Sequence, residues 1–205
     1  MKKSCSPPHF FDEIQFDYVR FPDASHPVFS LPSTEENRVK VVSEFLQEAK
    51  KRLMPYNVFL AADIFGYVCW NLNDTNIGQR LDALVPHLDY LSPMLYPSGF
   101  QYGIPGYRNP VANSYEIVYQ TLRRAQERTQ LPSIHFRPWL QAFRDYAFDR
   151  RFFTEKEIKE QIDAAAKFGS QGFMLWNPGN VYSSAGLKKK IPSPLITSLA
   201  PSPEI

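Results

Sequence analysis

Asp17 and Asp63 are carboxylates placed where apolar, strand-like runs end, in FDEIQFDYVRFP (11–22) and VFLAADIF (58–65). Two carboxylates brought to one place can divide proton chemistry between them, one held protonated as an acid and the other ionised as a base or nucleophile. Arg20, Tyr96, Arg137, Trp139, Gln141, Trp176 and Asn177 lie in or just after these and further apolar runs of the same kind. Aromatic faces stack on the CH-rich faces of sugar rings, and Arg, Gln and Asn pair with hydroxyls, so this inventory suits a carbohydrate. If Asp17 and Asp63 flanked a glycosidic bond, a separation of about 5 Å would mean retention and about 6.5 to 9.5 Å inversion.

Each of these residues also has a purely structural reading. Asp17 could pair with Arg20 or Arg137, Asp63 could cap a loop, and Tyr96 and Trp176 could fill a core. Asp12 and Glu13 stand at the beginning of their strand, where a parallel barrel keeps its stabilising residues. Trp70, in YVCWNLND after the second strand, either lines a sugar subsite or covers the top of the fold. His9, His26, His87 and His135 show no metal-ligand spacing, so neither a metal nor any other cofactor is expected. A metal-dependent hydrolase with Asp17 and Asp63 as ligands is a rival without histidine support.

The elements that must position these side chains alternate along the chain. Phe10–Phe21 reads as a strand, and Ser33 with Glu36 forms a capping box for an amphipathic helix reaching about Met54. VFLAADIF is apolar on both faces, as in a parallel sheet. A shorter helix over Gly78–Leu84 leads to the third strand, within Leu88–Pro97. Asn113 with Glu116 opens a helix to about Arg128, and Ser133–Phe143 is the fourth strand. Thr154 with Glu157 opens a last helix that ends at Gly169, a glycine C-cap, and Gly172–Pro178 is the fifth strand.

Five strands alternating with four helices predict parallel βα units. Neither GxGxxG nor GxxxxGK[ST] occurs, which disfavours a nucleotide-binding open sheet and favours a barrel. A complete (β/α)8 barrel takes about 250 residues and eight strands. The chain has 205 residues, 43% of them hydrophobic, enough for one core. The expected fold is therefore α/β, a (β/α)8 TIM-barrel type truncated at the N-terminal side to about five βα units, strands 4 to 8. Its expected divisions are an extension at 1–9, the partial barrel at 10–190 and a proline-rich tail at 191–205. A second chain or a further N-terminal segment would complete the barrel.

Charge and cysteine content narrow the partners. Lys and Arg number 23 against 21 Asp and Glu, a net +2, and the short run Lys188–Lys190 reads as a solvated end, so nucleic acid is not implied. No segment is apolar for long enough to span a membrane, and MKKSCSPPHF lacks the apolar core of a signal peptide. Cys5 and Cys69 fit no metal or redox spacing.

FDEIQFDYVRFP, LAADIFGY, LSPMLYP, RPWLQAF and GFMLWNPGNVY resemble, in that order, strands of the glycosyl hydrolase domain family DUF4015, over about residues 10 to 183. The resemblance implies a (β/α)8 glycoside hydrolase fold, a carbohydrate substrate and an exported bacterial protein. The opening strand is also similar to two other barrel families. Against the chitinase pattern DxxDxDxE, Asp12 takes the first acid position, Gln15 the second and Asp17 the third, with Val19 where the glutamate would stand; that departure argues against chitinase chemistry. Alpha-galactosidase-like enzymes carry a lysine, an apolar residue, a nucleophilic aspartate and an aromatic at the same strand end. Gln15, Phe16, Asp17 and Tyr18 imitate that pattern with glutamine for lysine. The similarity implies Asp17 as nucleophile, with Asp63 standing in as the acid; the alternative is a non-catalytic carbohydrate-binding domain or an inactive barrel remnant.

Overall fold

The computed structural model of the protein describes residues 11–22, 29–184 and 186–187. Cys5, His9, His26, Lys188–Lys190 and the proline-rich tail lie outside the described residues. In chain order the elements are β1 (Glu13–Phe16), α1 (Glu35–Leu53), β2 (Phe59–Phe65), α2 (Leu81–Leu84), β3 (Tyr90–Met94), α3 (Ser114–Thr129), β4 (Trp139–Gln141), α4 (Glu155–Phe168) and β5 (Met174–Trp176). The strands form one sheet in sequence order, every pairing parallel, which makes a half-barrel.

Alternation along the strands separates two environments. Leu60, Ala62 and Ile64 of β2, Leu91 of β3 and Leu140 of β4 point toward the helices. There they meet Val42 and Leu46 of α1, Leu81 and Leu84 of α2, Ile117, Val118 and Leu122 of α3, and Ala164, Ala165 and Phe168 of α4. This outer layer is the hydrophobic core. The other parity, Gln15, Asp63, Ser92, Arg137 and Trp139, is polar and faces the concave side.

Local chemistry explains the boundaries. The capping box of Thr154 and Glu157 forms, and Gly169 ends α4 with φ 87°, as the sequence predicts. The other two caps differ. Thr34, not Ser33, caps α1 by accepting from the Asn37 N–H at 3.3 Å. At α3 the Asn113 side chain turns back and donates to the Asn109 carbonyl instead of capping. β1 and β4 are far shorter than their apolar runs. β1 stops because Tyr18 adopts φ 52° and the Arg20 N–H turns back to the Tyr18 carbonyl at 2.7 Å. The start of the fourth run is a 3-10 turn at Ser133–His135.

Two buried polar anchors hold the loops above the sheet. Arg38 of α1 binds both Asp74 oxygens, at 2.6 and 3.0 Å, fixing the segment that follows β2. Gln79 accepts from the Phe65 N–H and donates to the carbonyls of Asp63 and Val19, tying β2 to the chain leaving β1. Gly66 packs so closely that a Cβ there would lie 2.6 Å from the Phe100 ring and 2.7 Å from the Met94 carbonyl. At the β1 side, Phe59, Val41 and Phe45 remain exposed, and Phe45 meets Phe16 edge to face at 5.0 Å. No described helix is long and apolar enough to cross a membrane.

Candidate active site

β1 and β2 pair Gln15 with Ala61 and Phe16 with Ala62; continuing that register by one residue brings Asp17 level with Asp63. Both share the concave parity, at the C-terminal ends of their strands. Asp63 is buried and Asp17 exposed. The Asp63 Oδ1 accepts from the Gln15 amide at 2.6 Å and from the Trp139 indole N–H at 2.8 Å. Asp17 Oδ1 accepts from the Tyr18 N–H at 2.7 Å, a contact that the left-handed Tyr18 backbone makes available.

Burial pushes the Asp63 carboxyl up to about 6. The indole of Trp139 works against that shift, the negative charge of Asp17 adds to it, Gln15 opposes it, and a hydrogen bond shared with Asp17 favours the protonated form further. Asp63 is therefore an acid that holds its proton into the weakly acidic range, beside an exposed carboxylate. Tyr96, leaving β3, lies in the same field: burial first, then the charges of Asp63 and Asp17, push its phenol up, so it remains a donor. Ser92, the register partner of Asp63 on β3, is buried, and its Oγ has no hydrogen-bond partner among the described residues.

The remaining sequence candidates divide. Trp139 is at the site, as a hydrogen-bond donor to Asp63, and Trp176 stands edge to face with it at 6.0 Å, partly exposed. Arg20 lies over the Tyr18 ring at 5.5 Å and donates to the Phe21 carbonyl. Arg137 is lower on the concave face, with both terminal nitrogens on Glu13 at 2.8 and 2.9 Å, so its hydrogen bonds go to a carboxylate of the chain rather than to the rim. Gln141 is fully buried: its Oε1 accepts from the Ser98 N–H, and its amide donates to Ser98 Oγ and the Phe143 carbonyl. Asn177 spends its amide on the carbonyls of Ala142 and Val181 and accepts from the Gly179 N–H. Trp70 donates to Thr121 of α3 at 3.0 Å and so covers the fold instead of lining the pair.

Two supporting features carried no sequence signal. Gln79 is the fastener above Asp63, and Asp145 organises the loop after β4. Asp145 accepts from Ser98 Oγ at 2.6 Å and from the backbone N–H groups of Ala147, Phe148, Asp149 and Arg150. Its burial favours the neutral form, yet these donors win and lower the carboxyl to about 2. Asp145 is thus a structural anion, and it fixes the segment that carries Phe143 against Tyr96 at 5.5 Å.

Cavities of about 580 Å³, along residues 101–108, and about 270 Å³, between α1 and the start of β2, both lie away from Asp17 and Asp63. Among the described residues, no cluster of three or more His, Cys, Asp or Glu side chains is placed to hold a metal ion.

Several solved structures share this fold. A chitinase from Chromobacterium violaceum ATCC 12472 superposes with a TM-score of 0.55 at 14% identity, over 82% of this chain and 62% of that one. The glycoside hydrolase domain of PgaB (BpsB) from Bordetella bronchiseptica gives 0.51 at 15% identity, over 70% and 38%. The spore cortex-lytic enzyme SleL of Bacillus megaterium QM B1551 gives 0.51 at 15%, over 82% and 46%. At these identities the likeness establishes the fold, a TIM-barrel half, and the chain spans less than two thirds of each of these structures. No curated protein matches the sequence. Residues 9–182 match DUF4015, described as "Putative glycosyl hydrolase domain", and since that match covers most of the chain, the protein belongs to this family.

Proposed function

We propose that the protein is the catalytic-pair half of a glycoside hydrolase acting on a polysaccharide, with Asp17 and Asp63 as the reacting carboxylates. The observation that carries this reading is Asp63, a buried carboxyl raised to about 6 and level with an exposed neighbour, Asp17. A perturbed carboxyl beside a second carboxylate where strands end is an arrangement that suits acid–base chemistry. Level positions on adjacent strands, about 5 Å apart in the sheet, set the two carboxyls side by side on one rim. The pair therefore acts as a unit: Asp17 meets the substrate, and Asp63 beneath it supplies or takes back the proton. Trp139 and Trp176 offer ring faces and edges to a sugar, and Tyr96 offers a hydroxyl donor. Three further βα units, from another chain or a longer N-terminal segment, would complete the barrel.

A second reading, glycan binding without cleavage, is favoured by that same placement, because both carboxyls stand on one rim rather than on opposite sides of a bound sugar. One experiment separates the two. A panel of polysaccharides is assayed with the parent chain, Asp17→Asn and Asp63→Asn, and glycan binding is measured in parallel. The hydrolase reading expects turnover that drops by about 10²- to 10⁴-fold in each variant. Binding retained in a parent chain that turns over none of the panel overturns it.

A further inference from the structure

Glu13 and Arg137 form a layer directly below the carboxyl pair. Glu13 precedes Gln15 by two residues on β1, and Arg137 precedes Trp139 by two residues on the chain entering β4, so each shares a face with one of the two donors to Asp63. The Arg137 N–H donates to the Leu91 carbonyl, which places it in the ladder alongside β3. Two nitrogen–oxygen contacts, at 2.8 and 2.9 Å, join the guanidinium to the carboxylate, and the guanidinium also lies over the Tyr90 ring at 4.4 Å. Both side chains are about one-fifth exposed, 19% for Glu13 and 21% for Arg137.

The strands involved are not neighbours, since β2 and β3 lie between them. In a flat sheet β1 and β4 would stand about 14 Å apart, three strand spacings. A bidentate contact over that span exists only in a curled sheet, and it holds the curl. β1 needs such a tether, because its four residues have one ladder neighbour, β2. Trp139 must cross the same concavity to stay at 2.8 Å from Asp63, two strands away, while Gln15, on the strand next to Asp63, reaches it at 2.6 Å and touches Met174 of β5 across the concavity at 3.7 Å.

We infer that the Glu13–Arg137 ion pair is the clamp that keeps Gln15 and Trp139 in reach of Asp63, which makes Glu13 and Arg137 positioning residues for the carboxyl pair. Direct charge is not their route: the charge acting on Asp63 is that of Asp17, and the clamp is a closed pair. The titratable groups facing Asp63 are Asp17 from the end of β1 and Tyr96 from the end of β3; β4 contributes the neutral Trp139 indole.

The test reads the carboxyl itself, so a failed clamp is distinguishable from a chain that does not hydrolyse glycans. Carbon NMR follows the Asp63 carboxyl through a pH titration, and proton–nitrogen NMR follows the Trp139 indole. The variants are Glu13→Gln with Arg137→Met, which removes both charges, Arg137→Lys, which keeps the charge but loses the fork, and the exchange Glu13→Arg with Arg137→Glu. Loss of the Oδ1 donors is expected to raise the Asp63 midpoint by about one unit in the neutral pair, with a smaller rise in Arg137→Lys. The Trp139 indole resonance should move with it, and the exchanged pair should move back toward the parent. An unchanged midpoint and indole signal in Arg137→Lys, or in the folded neutral pair, overturns the inference.

Discussion

Asp17 and Asp63 stand level at the ends of two adjacent parallel strands, one carboxyl exposed and the other buried. Replacing Asp17 with Asn removes both the like charge and the carboxylate acceptor. The Asp63 midpoint should then fall below about 6 but stay above the ordinary carboxylate range, because burial, the larger cause, remains; carbon NMR reads this. In the parent, glycan hydrolysis should decline as pH rises through the same midpoint, because the proton on Asp63 is lost.

The raised carboxyl also has a cost in stability. Asp63 holds its proton to about 6 in the folded chain against an ordinary 3.8, so its contribution is complete below the lower value and is lost as pH rises to the higher one. The loss amounts to about 3 kcal/mol above pH ~7. Asp63→Asn should recover much of it there and little below pH ~4, while abolishing activity. Urea unfolding at the two pH values checks this.

Asp145 has the opposite sign. Its carboxyl lies near 2 when folded, below the ordinary 3.8, so the stability it lends is present above the higher value and is lost as pH falls to the lower one. Asp145→Asn should cost about 2 kcal/mol at neutral pH and almost nothing below pH ~2. Hydrogen exchange should show the N–H groups of residues 147–150 losing protection first.

Ser92 predicts a gain. Its buried Oγ has no partner among the described residues, so the hydroxyl pays for desolvation without a hydrogen bond in return. Ser92→Ala should be neutral or stabilising by about 1 kcal/mol in thermal unfolding. A large destabilisation would show that the hydroxyl is engaged at the site.

The exposed apolar side chains beside β1 predict association. Val41, Phe45 and Phe59 flank a strand whose outer edge has no ladder partner among the described residues, the kind of surface that recruits another chain. The chain alone should self-associate in sedimentation velocity, and Val41→Lys with Phe45→Glu should reduce that association without changing the Asp63 titration. Joining the chain to three preceding βα units should abolish it.

The order and type of the elements were legible from periodicity alone: VFLAADIF reads as a buried strand, and the spacing of Ile158, Ile162 and Ala165 as a helix face. Direction along each strand was legible too, because alternation and position relative to the strand end suffice to place Asp17 and Asp63 on one rim. The roles of the polar residues were not. Arg137, Gln141 and Asn177 look alike in sequence as groups free to bind hydroxyls, but each finds its partner from 4 to 124 positions away, in Glu13, Ser98 and the carbonyls of Ala142 and Val181. Composition and spacing thus determined that this chain is a parallel βα array with two strand-end aspartates. The β1–β2 register set Gln15 and Asp17 beside Asp63, and only the curl of the sheet, which sets distances between strands that are not neighbours, brought the Trp139 indole from β4 onto the buried Asp63 carboxyl.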